Sequence, residues 1–308
     1  PTPPRSIIIE TTGLADPAPV AQTFFVDDDI QALYRLDGII TVVDTRHIIA
    51  RLDDEKPEGV ENEAEEQVAF ADRILLNKTD LAKNEKQLVD IEARLKKLNP
   101  MATIHRCQQS CVEPMDLIGI NAFSLDRVTE MDPEFLDTEG EHEHDPSVSS
   151  CSAKFEGFLN MNLLQTVIGS ILQELGANLF RYKGVLNVAG MDQKFVFQGV
   201  GMLFSGNFSD QKWGPDETRE CRFVFIGKDL DKKRLIDDFM DCQCDEKLRF
   251  AVGSKVSACT GKGATGWSTG TVIKCWDEGN PYRIQLDDDE GTNIWAPVDI
   301  DSFCKAAK

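Results

Sequence analysis

Arg73-Ile74-Leu75-Leu76-Asn77-Lys78-Thr79-Asp80 is a short apolar run that stops abruptly in an N-K-x-D tetrapeptide. The run is too short for a helix and lacks the alternation of a half-exposed strand, so residues 73–76 read as a strand buried on both faces, as in parallel sheets. The tetrapeptide then falls at the carboxyl end of a strand, where open α/β sheets hold their ligands. An Asp fixed there accepts hydrogen bonds from the N1–H and 2-amino groups that guanine has and adenine lacks. The Lys stem covers the base and the Asn braces the loop. Four residues alone are a weak signal, and the competing reading is a polar turn before the next helix; the position after a buried strand favours base recognition.

Working outward, residues 5–9, 38–43 and 102–105 have the same character, short and apolar between Gly, Asp, Asn or Pro. Alternating with helical patterns they predict an α/β layer with a parallel sheet over residues 1–128. The clearest helix lies before the last strand: Asn84 caps it, Leu88, Ile91, Leu95 and Leu98 recur at helical spacing, and Asn99-Pro100 ends it. Residues 129–150 are acidic and nearly devoid of apolar side chains after Leu136, the composition of a linker. Residues 151–246 predict an α+β sandwich, with strands near 152–158, 182–189, 194–204 and 222–226 and helices at 163–175 and 231–240 on one face. Residues 248–304 alternate apolar and polar between closely spaced glycines, the pattern of a small β-barrel of SH3 or Tudor type.

Size and charge narrow the function. A chain of 308 residues is long enough for two or three cores. With 33 Lys plus Arg against 53 Asp plus Glu, the net charge of −20 repels phosphate backbones, so no nucleic-acid partner is expected. Nine scattered cysteines in a mid-sized chain suit a reducing compartment. No apolar stretch reaches the ~18–20 residues that cross a bilayer, so no membrane partner is expected either. The opening Pro1-Thr2-Pro3-Pro4-Arg5 carries neither Met nor a signal segment and reads as the middle of a protein. The expected location is cytoplasmic, with an organelle left open.

Upstream, Ile7-Ile8-Ile9-Glu10-Thr11-Thr12-Gly13 puts a carboxylate at the end of a β-branched run, ahead of a Gly turn and Asp16-Pro17. In a phosphate-binding-loop fold this is where an acid meets the Mg²⁺ shell and the attacking water; an acidic helix cap is the alternative. The series Glu10 to Pro17, Gln22-Thr23-Phe24-Phe25, Leu36-Asp37-Gly38, Val43-Asp44 and Ala71 to Asp80 resembles the CobW-type metallochaperone GTPases in order and spacing. Arg181-Tyr182-Lys183-Gly184-Val185-Leu186, Phe197-Gln198-Gly199-Val200, Trp213-Gly214 and Phe223-Val224-Phe225-Ile226-Gly227 resemble that family's C-terminal domain. The resemblance spans residues 5–241 and leaves out the last 60 or so.

The resemblance implies an incomplete P-loop GTPase sheet followed by a CobW C-terminal domain. It also implies GTP and Mg²⁺ as ligands, zinc or another divalent metal as cargo, and a metal-requiring client protein as partner. Asn77, Lys78 and Asp80 would select guanine, Glu10 would be the catalytic group, and Cys107 would lie in the second base-contacting loop through its backbone. His47 matches a metal-binding position. The family's G-x-x-G-x-G-K-T and C-x-C-C motifs occur nowhere in the 308 residues, and Gly201 stands where many relatives carry His. A micromolar nucleotide needs about 8 kcal/mol of binding free energy; base contacts supply roughly 2 to 4 of it, and phosphate contacts normally supply the rest. The chain alone is therefore expected neither to bind GTP tightly nor to hydrolyse it. The rival reading is a non-catalytic scaffold that keeps a degenerate G domain and recruits a peptide through its barrel.

Further metal candidates are His142 and His144 in the acidic linker, a two-imidazole tether with carboxylates around it, or simply a solvated linker. Cys242 and Cys244 lack a third and fourth ligand and read as ordinary reduced thiols. Trp267, Trp276 and Trp295 either fill the barrel's core or line a peptide groove.

Overall fold

The computed structural model describes residues 6–13, 15–54, 56, 62–128, 148–176, 178–261 and 266–307. Asp16, one residue before the Pro17 cap, accepts from Ala18 N at 2.8 Å at the start of the first helix, α1 (Ala18–Val26). Asp27 caps α2 (Asp28–Leu33) by accepting from Ile30 N at 3.0 Å. Strand β1 (Ile40–Asp44) follows, then α3 (Ile48–Leu52), α4 (Glu63–Phe70), β2 (Arg73–Asn77), α5 (Glu85–Leu98) and β3 (Thr103–Arg106). The three strands form a parallel sheet in the order β1-β2-β3, with Asp44 in register with Asn77. Ile74, Leu75 and Leu76 on the central strand are buried, as the continuous apolar run requires.

Helix α5 matches its sequence pattern: Asn84 caps it through Gln87 N at 2.9 Å, and Leu88, Ile91, Leu95 and Leu98 are all buried. Asn99, which ends it, is fully buried. Its amide nitrogen reaches the carbonyls of Val68, Ala69 and Ala71, and its Oδ1 accepts from Met101 N and Ala102 N. One side chain thus binds the end of α4 to the turn that enters β3.

Of the strand expected at residues 5–9, the described residues 6–9 form none. Ile7, Ile8 and Ile9 are 55%, 85% and 54% exposed and carry no ladder. β-Branched composition supplies propensity, but a strand exists only where a neighbour takes its backbone hydrogen bonds and a layer covers its face. Among the described residues nothing pairs with the outer edge of β1.

After α6 (Leu125–Val128), the second unit comprises β4 (Val148–Glu156), β5 (Phe158–Leu159), α7 (Met161–Leu175), β6 (Leu179–Leu186), β7 (Gln193–Val200), β8 (Leu203–Lys212), β9 (Glu220–Lys228) and α8 (Lys232–Met240). Its antiparallel sheet runs β4-β9-β6-β7-β8. Leu164 and Ile171 of α7 and Leu235 and Phe239 of α8 pack with Tyr182, Phe197, Phe223 and Phe225, so both helices share one face, as expected for a sandwich. The single strand predicted at 194–204 is two, folded at Gly201, whose φ of +58° is the left-handed conformation that glycine tolerates.

The other face of the sheet lies on the first unit. Val148, Phe180, Val200, Val224 and Ile226 share one core with Val68, Phe70, Ile74 and Leu76. At this joint Arg181, 1% exposed, donates both terminal nitrogens to the Asp72 carboxylate and one of them to Phe70 O at 3.2 Å; its guanidinium also lies 4.6 Å from the Phe123 ring centre. Asp72 in turn accepts from Ile39 N at 2.9 Å. Beside it Lys183 donates to Ala122 O at 3.0 Å, and Gln198 donates to Phe123 O.

The last unit joins through β10 (Gln243–Cys244), which pairs with β5. Strands β11 (Lys255–Cys259), β12 (Trp267–Asp277), β13 (Asn280–Leu286), β14 (Asn293–Ala296) and β15 (Cys304–Ala306) form an antiparallel sheet in the order β14-β13-β12-β11-β15. Tyr282, Ile284 and Leu286 face its core, as their alternation predicts. Among the described residues no ladder joins β14 to β15, so the sheet is hydrogen-bonded as an open one. Asn160 and Asn162 at the start of α7 donate to Pro297 O at 2.8 and 3.2 Å, fixing this unit to the second.

Two stability outcomes follow. Asp72→Ala leaves a buried guanidinium unpaired and is expected to cost about 3–5 kcal/mol in urea unfolding. Replacing the pair together by Leu and Met is expected to cost less. Burial, with Arg181 nearby, pushes the Lys183 amine down to about 7 from 10.5, so the unfolded chain binds the extra proton between those values. Stability should accordingly rise as pH climbs from about 7 towards 10.5, and Lys183→Met should flatten that slope in unfolding curves taken across the window.

Candidate functional site

The carboxyl ends of β1, β2 and β3 are drawn together by one residue. Asn77, 8% exposed, closes β2. Its carbonyl accepts from Thr45 N at 3.0 Å and Thr45 Oγ1 at 2.6 Å, tying the end of β1 to β2. Its side-chain Oδ1 accepts from Lys78 N at 2.8 Å, from Ser110 N at 3.0 Å and from the Cys107 thiol at 3.7 Å; its amide nitrogen donates to Ser110 Oγ at 2.8 Å. The loop after β3 is thereby pinned to β2. Within that loop Gln109 and Ser110 both have positive φ, 51° and 54°, a turn that few non-glycine residues adopt without such fixing.

Lys78 also has left-handed backbone (φ 60°, ψ 39°), which reverses the chain at the strand end and starts the single turn Thr79–Leu81. Its amine meets Asp44 Oδ2 at 2.6 Å. His47 Nδ1 lies 3.2 Å from the same oxygen, and Arg46 N donates to Oδ1 at 2.8 Å. Burial raises the Asp44 pKa, but hydrogen bonds from Lys78, His47 and Arg46 N outweigh it and hold the carboxyl at about 2. Asp80 is exposed beside them on that turn. The arrangement offers a free carboxylate, a lysine stem lying across two strand ends and a braced loop. Those are the parts that would hold a purine with donors at N1 and the 2-position.

Cys107 is buried and enters this site through its backbone: its carbonyl accepts from Thr79 N at 3.3 Å and Thr79 Oγ1 at 3.2 Å, and its N–H donates to Leu76 O at 2.9 Å. Burial, then the neighbouring Cys111 charge, push its thiol pKa up, so it is no nucleophile here. Glu10 lies exposed in the segment without strand structure; a second-strand acid at a metal shell needs that strand in the sheet, so its expected role lacks its frame. His47 has one acidic neighbour, and among the described residues no group of three or more His, Cys, Asp or Glu side chains is arranged to hold a metal. His142 and His144 lie outside the described residues. All three barrel tryptophans are engaged within the chain: Trp267 under Lys305, Trp295 under Arg283, and Trp276 donating to Glu246 O at 3.0 Å.

Sequence reasoning passed over Asp44, Thr45 and Ser110 as site residues. For Asp44 a signal existed, since it ends its apolar run as Asn77 ends the next.

Similarity to known proteins agrees with this geometry. The CobW/HypB/UreG nucleotide-binding domain matches residues 2–106, and the cobalamin synthesis protein cobW C-terminal domain matches residues 148–243. The chain is 32% identical over 230 residues to the zinc chaperone YjiA of Escherichia coli (strain K12), covering 74% of this chain and 68% of that protein. The chain belongs to the CobW/HypB/UreG family. The zinc chaperone CobW of Pseudomonas aeruginosa is 30% identical over 251 residues, with 74% of this chain and 64% of that protein covered. The zinc-regulated GTPase metalloprotein activator 1 of Saccharomyces cerevisiae is 28% identical over 268 residues, with 74% and 60% covered. The crystal structure of Zn(II)-bound YjiA GTPase from E. coli superposes with a TM-score of 0.64 at 28% identity, over 75% of this chain and 69% of that one. The chain thus spans between 60% and 68% of the length of these three curated relatives.

Removing the Asn77 side chain leaves two part-buried backbone N–H groups, of Lys78 and Ser110, and the buried Cys107 thiol without their acceptor. Asn77→Ala is expected to cost about 2 kcal/mol or more in urea unfolding. The same substitution should bring Cys107 alkylation by iodoacetamide, slow in the parent chain, towards the rate of exposed Cys111, as read by peptide mass spectrometry.

Proposed function

We propose that this chain is the base-reading and C-terminal part of a CobW-type metal chaperone driven by GTP. Asp80 selects guanine, Lys78 covers the base, and Asn77 holds both in place. Cys107 lends its backbone to the loop behind them. The observation that supports this reading is an unencumbered Asp80 beside a clamped lysine at the carboxyl end of the central parallel strand. GTP with Mg²⁺ supplies the energy of the cycle, and a divalent metal, zinc by analogy with the relatives' names, is the cargo. Glu10 would be the group to meet Mg²⁺ and water if its segment joined the sheet. The second unit faces the metal-requiring client, and the terminal sheet presents a surface to a peptide partner.

The base half of the site sets a measurable limit. Roughly 2 to 4 kcal/mol from two or three charge-assisted hydrogen bonds corresponds to millimolar affinity or weaker, since 1 mM is about 4.1 kcal/mol. For the 308-residue chain, saturation-transfer NMR should show guanosine monophosphate binding in that range and adenosine monophosphate about tenfold more weakly. Asp80→Ala should erase the difference. Equal binding of the two nucleotides by the parent chain would remove the base-reading assignment, and calorimetric binding of GTP at micromolar concentration would remove the energy argument.

A further inference from the structure

We propose that Asp44 is a positioning residue for Lys78, so that the carboxylate ending β1 sets how tightly a purine is held while Asp80 sets which purine it is. The inference rests on the guanine-reading assignment and adds a residue that neither the tetrapeptide nor its strand contains.

Lysine side chains at a surface sample many rotamers, and ordering one during binding weakens the complex. Lys78 is already ordered at both ends. Its N–H is held by Asn77 Oδ1 at 2.8 Å and its amine by Asp44 Oδ2 at 2.6 Å, with the stem running from the end of β2 to the end of β1. Asp44 is itself fixed. It sits in ladder register opposite Asn77, its Oδ1 is held by Arg46 N, and Thr45 beside it bonds twice to the Asn77 carbonyl. Exposed ion pairs contribute little to folding in general. This one acts on binding, because the ordered stem spans the edge on which a base would lie, and its ordering has been completed before the base arrives.

The test is the affinity of the 308-residue chain for guanosine and adenosine monophosphates by saturation-transfer NMR. Asp44→Asn should weaken both about three- to fivefold and leave their ratio unchanged. Asp44→Glu should recover most of the loss. In the Asp44→Asn background, Lys78→Met should cost nothing further, a non-additivity that a merely structural role for Asp44 would not produce. If Asp44→Asn leaves affinity untouched while Asp80→Ala still erases the guanine preference, the positioning role is wrong and base reading stands. If neither substitution matters, base reading itself falls. Additive losses from Asp44→Asn and Lys78→Met would also overturn the proposal. Urea unfolding checks that each variant is folded; should Asp44→Asn fail it, Asp44→Glu and Lys78→Met decide between the same outcomes.

Discussion

One buried amide sets the geometry on which the rest of the first unit depends. Without the Asn77 side chain, the end of β2, the left-handed Lys78 and the two positive-φ residues of the loop after β3 would have nothing in common. Each of those backbone conformations is unfavourable alone, and a non-glycine residue in the left-handed region costs roughly 1–2 kcal/mol. They coexist because a single side chain, taken out of water, must satisfy its oxygen and its nitrogen and finds its partners only in that arrangement. Strain at the strand ends and polar satisfaction in the interior are therefore the same constraint, met once.

The opposite end of the same strand is held with comparable economy. Asp72, just before β2, takes Arg181 from the second unit and Ile39 N from the approach to β1. From Asp72 to Asn77 the chain advances about 17 Å at a strand's rise of ~3.3 Å per residue. A short, doubly buried strand thus carries a polar anchor at each end, one facing the other unit and one facing the candidate base site. The shared apolar core around it makes the two units a single packed body at this joint. Both β2 and the 107–123 segment lead from the base edge towards the second unit. The latter is gripped by Asp37 at residues 119–121 and by Lys183 and Gln198 at residues 122–123.

What the sequence revealed and what it hid divide along physical lines. Strands β1, β2 and β3, helix α5 with its Asn84 cap, and the sandwich with helices on one face were legible, because each is written in local periodicity and capping chemistry. The strand expected at residues 5–9 was not, because a ladder partner is a property of the sheet and not of the run of isoleucines. The hairpin at Gly201 was hidden for the opposite reason: apolar residues continue through the turn, and only a backbone angle marks it. At the site, Asn77, Lys78 and Asp80 announced themselves as a tetrapeptide. Asp44 and Ser110, more than thirty residues away on either side, enter through strand register and a side-chain bond that no local window contains.

The acidic balance of the chain bears on metal handling differently from a built ligand set. A net charge of −20 concentrates cations near the surface in a way that falls off with salt and does not distinguish one divalent ion from another. Selectivity for zinc demands sulfur or nitrogen donors in tetrahedral geometry. Burial pushes the thiols of Cys151, Cys221 and Cys242 each up to about 12, so all three are held protonated in the apolar core. His47 already shares its carboxylate with Lys78. A metal bridging His47 and Asp44 Oδ2 would compete with the Lys78 amine for that oxygen.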